Sequence, residues 1–135
     1  MEVTVTPTED RSIIIALRLE GGAAFIVATA AYAALAEGWW LYAITALLPD
    51  VSAAGYLAGP RVGARAYNIA HSYVTPFFFG LIAWLSEPAL LPVAAVWVAH
   101  IGIDRLLGYG LKSEQGFKFT HLGRIGRERF EDDRE

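Results

Sequence analysis

The chain has 135 residues, 55% of them hydrophobic and 19% charged, with a formal net charge of -3. Such a length suggests one domain, and such a composition excludes nucleic-acid binding as the organising function. There is no cysteine, so neither a disulfide framework nor a thiolate metal site is available.

Charge is spread unevenly. Across residues 21–59 the only acids are Glu37 and Asp50, and there is no Lys or Arg. This is the pattern of segments that sit in a bilayer. A helix needs about 20 mostly apolar residues to cross the hydrocarbon core. After a polar N-terminal segment (1–12), four such spans follow in chain order. The first covers 13–36 and contains Gly21 and Gly22; the second, 39–58, contains Pro49. The third, 61–86, contains Pro76, and the fourth, 88–109, contains Pro92. "EGWW", "AGPR" and "SEP" mark the breaks, and Trp39, Trp40, Tyr42 and Trp84 lie beside two of them, where amphipathic rings favour the interface. Internal prolines are tolerated in membrane bundles. In "GYLAGPRVG", Gly55, Gly59 and Gly63 are spaced like a small-residue helix contact, but Pro60 favours a helix end followed by a turn. The predicted fold is all-α, a four-transmembrane-helix bundle over 13–110.

All eleven Lys and Arg lie before or early in the first span, between the second and third, or from Arg105 onward. By the positive-inside rule both termini face the cytoplasm, in a multi-pass protein of the cytoplasmic (cell) membrane. "ALA" at Ala34 to Ala36 would suit a signal-peptide cleavage site, but Glu2, Glu9, Asp10 and Glu20 fit an n-region poorly.

At about 1.5 Å per residue, Glu20 lies about 10 Å from the cytoplasmic end of its span, and Asp50 about 12 Å. His71 and His100 lie about 15 and 14 Å deep, with Asp104 one turn nearer the cytoplasm. Ionisable groups in lipid are costly unless paired or metal-bound, so these five should face one another. His100 and Asp104 are i,i+4 on one helix face, and Asn68, His71 and Thr75 share a face of the third span. Asn68 and His71 are expected to face the fourth span. No Lys belongs to this layer, whose three carboxylates call for a neutralising cation.

Four readings stay open, one of them transport through the polar layer, for which four short helices leave little room without oligomerisation. A structural network could pair Arg105 with Asp50 and Arg18 with Glu20. A metal site would use Asp50, His71, His100 and Asp104 as ligands for Zn, Mn or Fe, with Glu20 or Asp50 taking a proton from water. A haem between His71 and His100 is the lesser metal alternative.

The basic and aromatic tail (111–135) interleaves Lys112, Lys118, Arg124, Arg127 and Arg129 with Phe117, Phe119, Leu122, Ile125 and Phe130. That pattern suits a juxtamembrane segment lying on anionic lipid headgroups. His121 reads as a surface residue, with a fold-back toward the polar layer as the alternative. The oligomeric state is not legible.

"LRLEG", "YLAGPRVGARAYNIAH", "HIGIDRLLGYGLK" and "GFKFTHLGRIG" together resemble a family of small prokaryotic membrane proteins, domain of unknown function 4260. The resemblance implies an integral membrane protein and no particular activity. "LPD" at Leu48 to Asp50, a His on the next helix, and "HIGIDRLLGYG" resemble the pattern of membrane-bound metal-dependent hydrolases. Matched residue by residue, this likeness implies metal ligation by Asp50, His100 and Asp104. It departs at the third span, where Pro76 stands at the offset of that group's second His. The function expected from these features is a metal-dependent hydrolase of a lipid-like substrate; the alternative is a non-enzymatic membrane protein with a structural polar layer.

Overall fold

The computed structural model describes residues 7–36, 38–114 and 116–124. Helix α1 (Pro7–Leu35) begins at Pro7, so part of the expected polar leader is helical. The second span is composite: α2 (Trp39–Thr45), a turn, then a 3-10 helix (Pro49–Ala58) begun by Pro49. The third is α3 (Pro60–Ala70) followed by α4 (Val74–Ser86), bent by 46° at the break. A 3-10 turn (Pro88–Leu90) leads into α5 (Leu91–Leu107). Among the described residues, three helices are long and apolar enough to cross a membrane, or four if the bent pair is one span. The expected all-α bundle is therefore present.

The break in the third span lies at His71 to Tyr73, not at Pro76 itself. Pro76 occupies the first turn of α4, where a missing N–H costs nothing, and its ring disfavours helical continuation through the residues before it. The Thr75 hydroxyl donates to the Ile69 carbonyl, a group the interrupted helix leaves without its usual partner. Thr75 thus serves the bend rather than the polar layer.

The bundle is apolar outside and small-residue inside. Ile26, Val27, Leu57 and Leu85 are exposed, while Ala28, Ala64, Ala83, Ala94 and Ala99 are buried. Lipid solvates the former at no cost, and small residues let backbones approach. A close approach joins the middle of α1 to the C-terminal half of α5: a Cβ on Gly102 would stand 2.6 Å from both the Gly21 carbonyl oxygen and the Phe25 nitrogen. Gly59 has φ +108 and ends the 3-10 helix before Pro60, the turn reading of "GYLAGPRVG". Gly55 and Gly63 still form a close contact across that turn, since a Cβ on Gly55 would lie 3.3 Å from the Gly63 Cα and 2.9 Å from the Ala66 Cβ.

Gly108, in the left-handed region, caps α5 and reverses the chain. A small antiparallel sheet follows, which the hydropathy pattern does not announce: β1 (Lys112–Ser113), β2 (Gly116–Thr120) and β3 (Gly123–Arg124), in that spatial order. Asn68 on α3 docks it by mimicking a strand: its Nδ2 donates to the Lys112 carbonyl at 2.8 Å, and its Oδ1 accepts the Lys112 N–H at 2.6 Å. Asn68 therefore faces the sheet, not the fourth span as expected. The side chains of Lys118, Phe119 and Arg124, and the whole of Ile125, Arg127, Arg129 and Phe130, lie outside the described residues.

Candidate metal centre

Three elements bring one side chain each, or a pair, to a single point. Asp50 sits in the first turn of the 3-10 helix after Pro49. His71 is the residue that ends α3, and the bend after it leaves its ring facing α5. His100 and Asp104 come from one face of α5, as their i,i+4 spacing requires. Nε2 of His71 and Nε2 of His100 are 3.2 Å apart. Asp50 Oδ1 lies 3.4 Å from each of these nitrogens. Asp104 Oδ2 lies 3.6 Å from His71 Nε2 and 3.5 Å from His100 Nε2. One donor atom from each of the four residues lies within 4.8 Å of every other, so the group could hold a metal ion.

The separations carry chemical meaning. Four ligands at about 2.0–2.1 Å from a common ion, in tetrahedral array, stand about 3.3 Å apart. Five of the six donor–donor edges here fall between 3.2 and 3.6 Å. The remaining edge, between the two carboxylates, is bounded only by the 4.8 Å limit. The histidines are closed off, with side chains 3% and 9% exposed, whereas Asp50 is 54% exposed and Asp104 18%. The open side of the group is therefore the Asp50 side.

His71 is prepared to be a ligand. Its Nδ1 faces the Tyr67 carbonyl at 2.9 Å. A carbonyl can only accept, so Nδ1 carries the proton and Nε2 turns a lone pair to the group. The Tyr67 ring stacks on the His71 ring, with centroids 3.7 Å apart and planes inclined by 6°, and its hydroxyl lies 3.5 Å from Asp104 Oδ2. Arg105, almost buried, donates from Nη2 to the His71 carbonyl at 3.0 Å.

Several expectations change here. Glu20 is not in the four-residue group among the described residues, and its side chain is exposed. Arg18 donates to the Leu106 carbonyl at 2.8 Å, capping α5, and Arg105 turns to His71 and His121; these take the place of the expected Arg18–Glu20 and Arg105–Asp50 pairs. Two axial nitrogens of a haem would lie about 4 Å apart with a porphyrin between them. At 3.2 Å, with two carboxylates at the same point, His71 and His100 leave no room for one.

A lysine does reach this region. Lys112 is buried, its Nζ 4.9 Å from the Tyr67 ring centre and 3.8 Å from that of Phe117. Burial lowers its pKa while the Asp104 carboxylate opposes that shift. Its place in the basic, aromatic tail suits anionic lipid headgroups, and nothing in the hydropathy foretells the sheet that carries it inward. Tyr67 was legible in principle, being one turn before His71 on the same helix face. His121 is exposed, yet its Nδ1 accepts the Leu111 N–H at 2.9 Å, and Arg105 Nη1 lies 3.1–3.2 Å from both ring nitrogens. It folds back onto Arg105 without joining the ligand group.

A family model described as Domain of unknown function (DUF4260) matches residues 14–125. No curated protein and no solved structure matches the chain.

Proposed function

The chain belongs to the DUF4260 family, and from that premise we propose that it is an integral membrane protein holding one divalent Zn, Mn or Fe in the cytoplasmic leaflet. Asp50, His71, His100 and Asp104 would be the ligands. The observation that carries this reading is the set of five donor–donor edges of 3.2–3.6 Å, the spacing that a shared ion demands. Two carboxylates in a low-dielectric surround also call for a cation, and a divalent ion balances both.

The chemistry proposed is hydrolysis of a lipid-like substrate. A divalent ion in this setting supplies Lewis acidity toward a carbonyl or phosphoryl oxygen and toward water. The chain's own contribution is proton management on the open side. As water adds to the electrophilic centre, the second oxygen of Asp50 takes its proton and passes it to the departing alcohol oxygen as that bond breaks.

Orientation is part of the proposal. The ends of α1 and α5 bearing Arg18 and Leu106 lie together, and the basic residues support placing that side in the cytoplasm. Reporter fusions beyond residue 124 and in the turn near Gly38 should read opposite sides.

A second reading has one observation in its favour: edges of 3.2–3.4 Å are also compatible with hydrogen bonds, so a non-enzymatic polar network could use the same geometry. Thermal unfolding separates the two. Chelator-treated protein should melt earlier, and added Zn or Mn should restore the wild type but not His71→Ala. Identical melting with and without metal would favour the network.

A further inference from the structure

A cavity of about 430 Å³ lies between the second span, α4 and α5. Pro49 and Ala70 line it, and each immediately precedes a residue of the ligand group, Asp50 and His71. Trp97, also in the lining, is three residues before His100 on α5. The cavity is thus lined by chain neighbours of the ligand group.

That lining asks for hydrocarbon. Thr45, Ser52 and Trp97 are the polar residues of the lining, and each has its donor committed within the chain. The Thr45 hydroxyl donates to the Leu41 carbonyl at 2.7 Å and the Ser52 hydroxyl to the Pro49 carbonyl at 2.6 Å. The Trp97 indole N–H donates to the Ala70 carbonyl at 2.7 Å. A polar occupant would find no free donor and would lose its own hydration. Since every wall belongs to a membrane-spanning segment, what enters comes from the bilayer.

Charge says what the other end of the occupant carries. Asp50 and Asp104 together balance one divalent ion. Lys112, placed over the Tyr67 ring whose hydroxyl reaches Asp104, is then left as excess positive charge. An anionic head group complements that excess.

We infer that this cavity receives an acyl chain of a membrane phospholipid and brings the lipid's phosphate-bearing end to the Asp50–His71–His100–Asp104 group. The substrate class of the proposed hydrolase is then a phospholipid. The assignment of the polar end rests on the metal reading above; the chain site rests on the cavity alone.

The test is photolabelling in vesicles of phosphatidylcholine and phosphatidylglycerol containing a phosphatidylglycerol with a terminal diazirine on one acyl chain. Peptide mapping should find at least threefold more adduct on Phe79 and Val93 than on Ile26 and Val27, which face lipid on α1. Val93→Trp and Ser52→Phe, filling the cavity from opposite walls, should each abolish the excess while keeping wild-type metal content. Equal labelling of the cavity and the α1 face, or an excess that survives both variants, overturns the inference. Metal content separates the two proposals. Metal with uniform labelling sinks the chain site alone. Cavity labelling without metal sinks the metal reading and the substrate assignment, and leaves a lipid-chain site.

Discussion

The Tyr67 ring lies flat against the imidazole of His71, 3.7 Å between centroids, while the Tyr67 carbonyl fixes the Nδ1 proton of the same imidazole and the Tyr67 hydroxyl lies 3.5 Å from Asp104. One residue thus sets the plane and tautomer of one ligand and approaches a second. Tyr67→Phe keeps the ring and the carbonyl and removes only the hydroxyl. We expect metal affinity to fall about tenfold, the lower end for a partner behind a ligand. Competition titration with a chromophoric chelator reads this directly; unchanged affinity would mean that the hydroxyl does not support Asp104.

The contact of α1 with α5 depends on two missing side chains. Gly102→Ala would place a methyl 2.6 Å from backbone atoms of Gly21 and Phe25, which cannot rotate away. The helices must separate, at a cost of about 1–3 kcal/mol, and the strain falls between His100 and Asp104. A lowered melting temperature with partial loss of metal is expected. A variant that melts like wild type would show that the helices pack less closely than described.

His121 gives the docked sheet a pH dependence. Its Nδ1 accepts from the Leu111 N–H, which only the neutral ring can do, and the Arg105 guanidinium stands against the ring. Burial, and secondarily the Arg105 charge, push its pKa below the ordinary histidine value. With the folded pKa lowered, the undocked state binds more protons as pH falls through about 6.5, so docking weakens on acidification and is full above that value. Amide exchange across 112–120 should accelerate between about pH 7.5 and 5.5 relative to the intrinsic rate. His121→Asn should flatten that dependence; a dependence unchanged in the variant would assign it to another group.

The sequence carries the bundle and its polar layer for one reason. In lipid, apolar runs, basic flanks and buried ionisable groups are each costly to misplace, so they leave strong marks. Asp50, His71, His100 and Asp104 were legible because depth along a helix follows from counting residues. Rotation about the helix axis does not, and Glu20, placed at a similar depth by counting, lies outside the group among the described residues. The bend after His71 was partly legible through Pro76, but its position depended on where the chain could re-enter a helix. The sheet was not legible, because strands of two and five residues leave no periodic signal. With it went the inward turn of Lys112 and the attachment of Asn68 and His121.

The central claim is that one divalent ion joins Asp50, His71, His100 and Asp104. Elemental analysis of protein purified without chelator tests it most directly. The account predicts close to one Zn, Mn or Fe per chain, its loss in both His100→Ala and Asp104→Ala, and its retention in His121→Ala. Those two ligand variants should also melt earlier, since each leaves the remaining charge unpaired. Wild-type protein with no stoichiometric metal, and no stabilisation by added Zn or Mn, would contradict it.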